Sequence, residues 1–152
     1  MENGIEEIEA FRVTIERRRL ARDEKCIRQI FEILEECGIP CECMAINIDW
    51  LSIVIRESER GKLSGFMMLV GQRLSRINVS VNGNVTLLSF VDAGLDCRGI
   101  GMVVSSLTMQ DIEIIIQRYL QRENRLVIGV LPEDAARGCE IIEGIVDSGY
   151  RI

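Results

Sequence analysis

Histidine is absent from all 152 residues of this chain. That removes the usual general base near neutral pH, the Ser-His and Cys-His pairs, and the commonest zinc ligand. Tryptophan occurs once, at Trp50, and aromatics make up only 5% of the chain, so a core must be built from Ile, Leu, Val and Met. No apolar run reaches the ~18–20 residues a membrane-spanning helix needs. Positive charge is scarce as well: the net charge is −6, and the one basic run, Arg17-Arg18-Arg19, has acidic residues on both sides. Phosphate backbones demand clustered Lys and Arg, so no nucleic-acid partner and no membrane partner is expected. The opening MENGIEEIEA is acidic and lacks the apolar run of a secretory signal. A cytoplasmic chain with reduced thiols is therefore expected, with Cys26, Cys37, Cys41, Cys43, Cys97 and Cys139 as small packing residues. No catalytic residue, metal or cofactor is expected.

What is present is aliphatic periodicity. Hydrophobic residues make up 47% and charged residues 28%, the balance of a globular chain. Ile5–Ile8 reads as a short edge strand, and Phe11–Ile15 alternates as a half-buried one. Asp23 is a candidate N-cap for a helix whose Ile27, Ile30, Phe31, Leu34 and Cys37 share one face. Gly38 stops that helix, since glycine takes φ > 0 most cheaply, and Ile39-Pro40 cannot extend it. Strands follow at Cys41–Ile46 and Trp50–Ile55 around a turn at Asn47-Ile48-Asp49, then a helix over Lys62–Leu74. Ile77–Val81 and Val85–Val91 read as strands joined by the hairpin signal Asn82-Gly83. The pattern then restarts: a helix over Gly99–Met109, strands over Ile112–Ile116 and Leu126–Leu131, a helix opened by Pro132, a stop at Gly149, and a last strand over Tyr150–Ile152. Ile27 and Ile100 are 73 apart and Leu51 and Leu126 are 75 apart, so a βαββαβ unit occurs twice.

The stretch FEILEECGIPCECMAINIDWLSIVI resembles the first ACT domain of the C-terminal tandem ACT regulatory region of aspartokinases. That family shows a helix, G-I-x-[VC]-[ED], a short loop and I-D-x-[IL]-S-[IV] there. NGIEEIEAFRVTIE resembles the strand pair leading into it. SFVDAGLDCRGIGMVVSSL and ENRLVIGV occupy the places of the second domain's helix start and of its S-E-I-N-I-I-x-G-V strand. The family's kinase domain, with its Lys-Phe-Gly-Gly stretch, has no counterpart here. The resemblance implies an α+β fold of two ferredoxin-like (βαββαβ) ACT domains packed side by side. The first would run over 1–82 and the second over 83–152, the last strand returning to the first domain. It further implies a non-catalytic regulatory module that binds a feedback amino acid, lysine or threonine, and that forms a homodimer or associates with a catalytic kinase chain. The alternative is a structural or partner-binding module whose ligand sites have decayed.

A free amino acid needs an acceptor for its ammonium and donors for its carboxylate, and a helix N-terminus supplies the donors. The effector candidates in the first unit are Arg22, Asp23, Cys26 and Ile27 at the helix start, with Glu42, Asn47 and Asp49 on the strands and turn. In the second unit they are Arg98, Gly99, Ile100, Asp111 and Glu123. Glu42, Asp49 and Glu123 keep the acidic character of the family's positions. Lys25-Cys26 stands where the family has Gly-Phe, and Asp111 replaces an Asn at the start of a strand. Gly99-x-Gly101 alone is too short a pattern for a nucleotide loop and reads as helix-start packing.

Overall fold

The computed structural model describes residues 4–92 and 94–149. Among the described residues six strands and four helices follow one another. They are β1 (Glu6–Glu16), α1 (Glu24–Glu36), β2 (Cys43–Ile46), β3 (Trp50–Arg56), α2 (Leu63–Arg73), β4 (Asn78–Val91), α3 (Cys97–Met109), β5 (Ile116–Leu120), β6 (Arg125–Val130) and α4 (Ala135–Asp147). Short 3-10 turns precede α1, α2, β6 and α4.

Two compact units result, one contiguous over residues 10–83 and one divided, joining the chain up to Glu9 with Asn84 onward. In the contiguous unit the strand order is β2-β3-β1-β4, with β1 and β2 antiparallel to β3. In the divided unit the order is β1-β4-β6-β5, with β4 and β5 antiparallel to β6. Each unit is thus a ferredoxin-like α+β layer. The long strands β1 and β4 each give one part to each unit, so the fourth strand of the divided unit is the start of the chain.

Alternation builds both cores. In the contiguous unit Phe11, Val13 and Ile15 of β1 and Leu51, Ile53 and Ile55 of β3 are buried against Ile30, Ile33 and Leu34 of α1 and Phe66 and Val70 of α2. In the divided unit Leu88, Phe90, Leu126, Ile128 and Val130 meet Val103 and Leu107 of α3 and Ile142 of α4, and Ile5 is buried in the same cluster. Burial on this scale, about 25 cal/mol per Å² of apolar surface, is what offsets the entropy of ordering so aliphatic a chain.

Several expectations hold and several are corrected. Asp23 caps α1, and Gly38, at φ 68, follows its last turn. The hairpin at Asn82-Gly83 does not exist: both residues lie inside the 14-residue β4. A two-residue Asn-Gly hairpin requires positive φ at both positions, and neither residue has it. The Asn82 side chain instead accepts from the Thr14 hydroxyl. Ile5–Ile8 and Phe11–Ile15 belong to one strand, β1, which runs unbroken. The strand expected over Ile112–Ile116 starts only at Ile116 and continues through Leu120. Ile112 and Ile114 pack into the core from a loop, and burial alone explains their apolarity. The expected strand at Tyr150–Ile152 lies outside the described residues.

Candidate functional site

In each unit the loop entering the first helix is laced to the hairpin beside it. In the contiguous unit the Arg17 amide donates to the Asp49 carbonyl at 2.9 Å and the Ala21 amide to the Ile48 carbonyl at 3.0 Å. The Arg19 amide donates to Asp49 Oδ1 at 2.8 Å. Asp49 is therefore spent on holding the loop. Asn47 is engaged within the hairpin turn itself, its Oδ1 accepting from the Ile48 amide at 2.6 Å. In the divided unit the Asp92 amide donates to the Asn124 carbonyl at 3.1 Å. The Tyr119 hydroxyl reaches Asn124 Oδ1 at 3.1 Å and the Leu95 carbonyl at 3.3 Å.

The helix starts are built alike. Asp23 Oδ1 accepts from the Cys26 amide at 3.0 Å, and 73 residues on Asp96 Oδ1 accepts from the Gly99 amide at 2.8 Å. Each carboxylate satisfies one orphan donor of its helix. Cys26 and Gly99 are buried, Ile27 and Ile100 half-buried, and Arg22 and Arg98 exposed.

The start of α1 opens on a cavity of about 280 Å³ lined by Arg17, Asp23, Lys25, Cys26, Gln29, Arg73, Leu74 and Ser75. Asp23 and Cys26, both effector candidates, line this cavity. Arg17 lies 3.5 Å from Asp23 Oδ2. Arg73, at the end of α2, makes a two-pronged ion pair with Glu36 at the end of α1. That bond holds the Glu36 carboxyl below the usual carboxylate range and raises the Arg73 guanidinium. It also accounts for an acid at the C-terminal end of α1, where the helix dipole disfavours one.

The remaining candidates are placed elsewhere. Glu42 precedes β2, at the opposite end of the β2–β3 hairpin from Asn47, about 16 Å away along an extended chain. It is paired with Arg56 Nε at 2.5 Å. Asp111 follows the end of α3 rather than starting a strand: its φ is 59, and its amide donates to the Thr108 carbonyl at 3.1 Å. Arg98–Ile100 lie at the other end of that 13-residue helix, about 20 Å away at 1.5 Å per residue. Glu123 sits in the 3-10 turn before β6 and pairs with Arg125 at 3.2 Å.

Residues that the sequence did not single out complete the α1 cavity. Gln29 could have been found, since it stands three residues after Cys26 on one helix face. Arg73 and Ser75 reach the cavity only through tertiary packing of α2. A second polar cavity, of about 240 Å³, is lined by Arg12, Thr14, Glu16, Trp50, Ser52, Ser80 and Asn82. Arg12 Nε is buried there without a hydrogen-bond partner among the described residues. Among the described residues no three acidic, thiol or imidazole groups gather as a metal set. No helix of the described residues is long and apolar enough to cross a membrane.

No family model and no curated protein matches the chain. Solved structures do match its fold. The aspartate kinase of Clostridium acetobutylicum superposes with a TM-score of 0.76 at 20% identity, over 97% of this chain and 34% of that one. The ligand-free regulatory subunit of aspartate kinase from Thermus thermophilus superposes with a TM-score of 0.78 at 11% identity, over 93% of this chain and 95% of that one. E. coli aspartokinase III in complex with lysine and aspartate gives a TM-score of 0.64 at 13% identity, over 97% of this chain and 32% of that one. The chain thus spans about a third of the whole kinases and nearly all of a regulatory subunit.

Proposed function

We propose that this chain is a non-catalytic regulatory module that binds a free amino acid, lysine or threonine, and acts on a kinase chain of the aspartokinase type. The observation that carries the reading is end-to-end agreement with a regulatory subunit, with only a third of a whole kinase covered. The site assigned to the ligand is the cavity at the start of α1. There Lys25 and Arg73 suit a carboxylate, and Asp23 suits an ammonium. Ligand binding would bias one association state by its differential affinity alone, with a homodimer or a kinase complex as the responding assembly.

A second reading is favoured by one observation. Asp23, Asn47 and Asp49 are already committed to capping and loop closure, as expected of a structural module that has lost its ligand. A thermal-shift screen against the twenty amino acids separates the two readings, because a ligand selective for the folded state raises its melting temperature. The sensing module predicts a rise with lysine or threonine. A flat response to all twenty leaves the structural module.

A further inference from the structure

The basic run Arg17-Arg18-Arg19, the one sequence feature the regulatory reading does not absorb, is joined in the fold by a distant arginine. Arg76, in the turn between α2 and β4, meets the run around a cavity of about 400 Å³. All four described lining residues, Arg17, Arg18, Arg19 and Arg76, are arginines. In a chain of net charge −6 this is a local reversal of sign. Arg17 is half-buried and engaged with Asp23, whereas Arg18, Arg19 and Arg76 are exposed.

The backbone adds a second observation. Arg19 and Arg76 have φ 58 and 57, the left-handed region. A residue with a Cβ pays roughly 1 kcal/mol there that glycine does not. Two of the four arginines thus occupy positions where glycine or asparagine is the less strained choice, and gathering like charges adds repulsion that an anion would relieve.

The geometry points to a binding site for a compact polyanion carrying two or more phosphoryl groups. Charge selects this class: Asp23 already offsets Arg17, so three exposed guanidiniums remain, and two phosphoryl groups at about −1.5 to −2 each match them. Guanidinium groups match phosphoryl oxygens with paired N–H donors. Among the described residues no carboxylate lines the cavity to receive an ammonium, which separates this site from one for a free amino acid. The proposal does not depend on whether the α1 cavity takes an effector.

Isothermal calorimetry on the full chain tests it, with inorganic pyrophosphate and a magnesium-free nucleoside triphosphate as parallel probes. Both are expected to bind, with affinity falling as salt rises. Tighter binding of the nucleotide assigns the phosphoryl groups to a nucleotide, and equal binding assigns recognition to the pyrophosphoryl group alone. The double variant Arg18→Gln/Arg76→Asn, in which asparagine tolerates the left-handed turn, should weaken both probes roughly tenfold or more. The single variant Arg18→Gln, at an exposed position, should give a smaller loss in the same direction. Absence of heat with either probe at low salt overturns the proposal, as does unchanged affinity in a folded double variant.

Discussion

The two units solve one packing problem in opposite ways. Val54 of β3 and Gly129 of β6 are 75 residues apart, the offset that relates the two strands. Val54 is fully buried and pairs across the sheet with Cys43 and Arg12. At Gly129 an added Cβ would lie 2.7 Å from Ile116 Cγ2 and 3.0 Å from Val85 Cγ1. The neighbours thus fill in the divided unit the space that the strand's own side chain fills in the contiguous one. A duplicated fold conserves its volume, not the identity of the residue that supplies it.

The loops differ in the same spirit. The contiguous unit closes the approach to its helix with the backbone amides of Arg17, Arg19 and Ala21, which donate to Asp49 and Ile48 of the hairpin. The divided unit uses a shorter loop with the buried Leu95 and a tyrosine hydroxyl. A polar cavity lies at the first helix start, whereas the buried Leu95 precedes the second.

The largest expected effect breaks the volume exchange directly. Gly129→Ala should destabilise the chain by about 2 kcal/mol, because the methyl group must displace Ile116 or Val85. Urea unfolding measures it, and a variant as stable as the parent would refute the exchange. Next come the paired caps. Asp23→Ala and Asp96→Ala should each cost about 1 kcal/mol in the same measurement. Only Asp23→Ala should also abolish the amino-acid-induced rise in melting temperature, since only Asp23 lines the α1 cavity.

A smaller effect concerns pH. The Glu36 carboxyl is held low by its hydrogen bonds to Arg73, so its folded pKa lies below the unfolded one. Its contribution to stability is therefore present above the ordinary carboxylate range and lost as pH falls through the folded value. The pair is exposed, so the effect is slight. Comparing urea midpoints of the parent and Glu36→Gln from neutral pH into the acid range should show a difference that shrinks as pH falls. A difference that grows would contradict the assignment. Smallest of all is a contrast in thiol reactivity. The Cys139 thiol is pushed up to about 12 by burial and by the Glu7 carboxylate, 3.6 Å from its sulfur. Cys97, at the first turn of α3, is exposed. Maleimide near pH 8 should label Cys97 and spare Cys139, as mass spectrometry of digested protein will show.

The sequence carried the element types well because they rest on short-range signals. Asp23 before the α1 periodicity and Gly38 after it are local features, and both act as read. It carried connection less well. Asn82-Gly83 has the composition of a turn, yet the strand runs through it because Asn82 finds a cross-strand partner in Thr14, 68 positions earlier. Ile112 and Ile114 are apolar for packing rather than for pairing, a distinction alternation cannot make. The assignment of β1 to both units is equally invisible, since no local pattern records which sheet a residue joins. Of the candidate site, the helix-start residues were legible. Arg73 and Ser75 were not, because only the packing of α2 brings them there.

The central claim is that the α1 cavity receives a free amino acid. Calorimetric titration of lysine and threonine into the parent chain and into Asp23→Asn tests it most directly. Saturable binding of one of the two to the parent is expected, and its loss in the variant, with the variant still folded. Absence of heat with both, or equal binding by the folded variant, would contradict it.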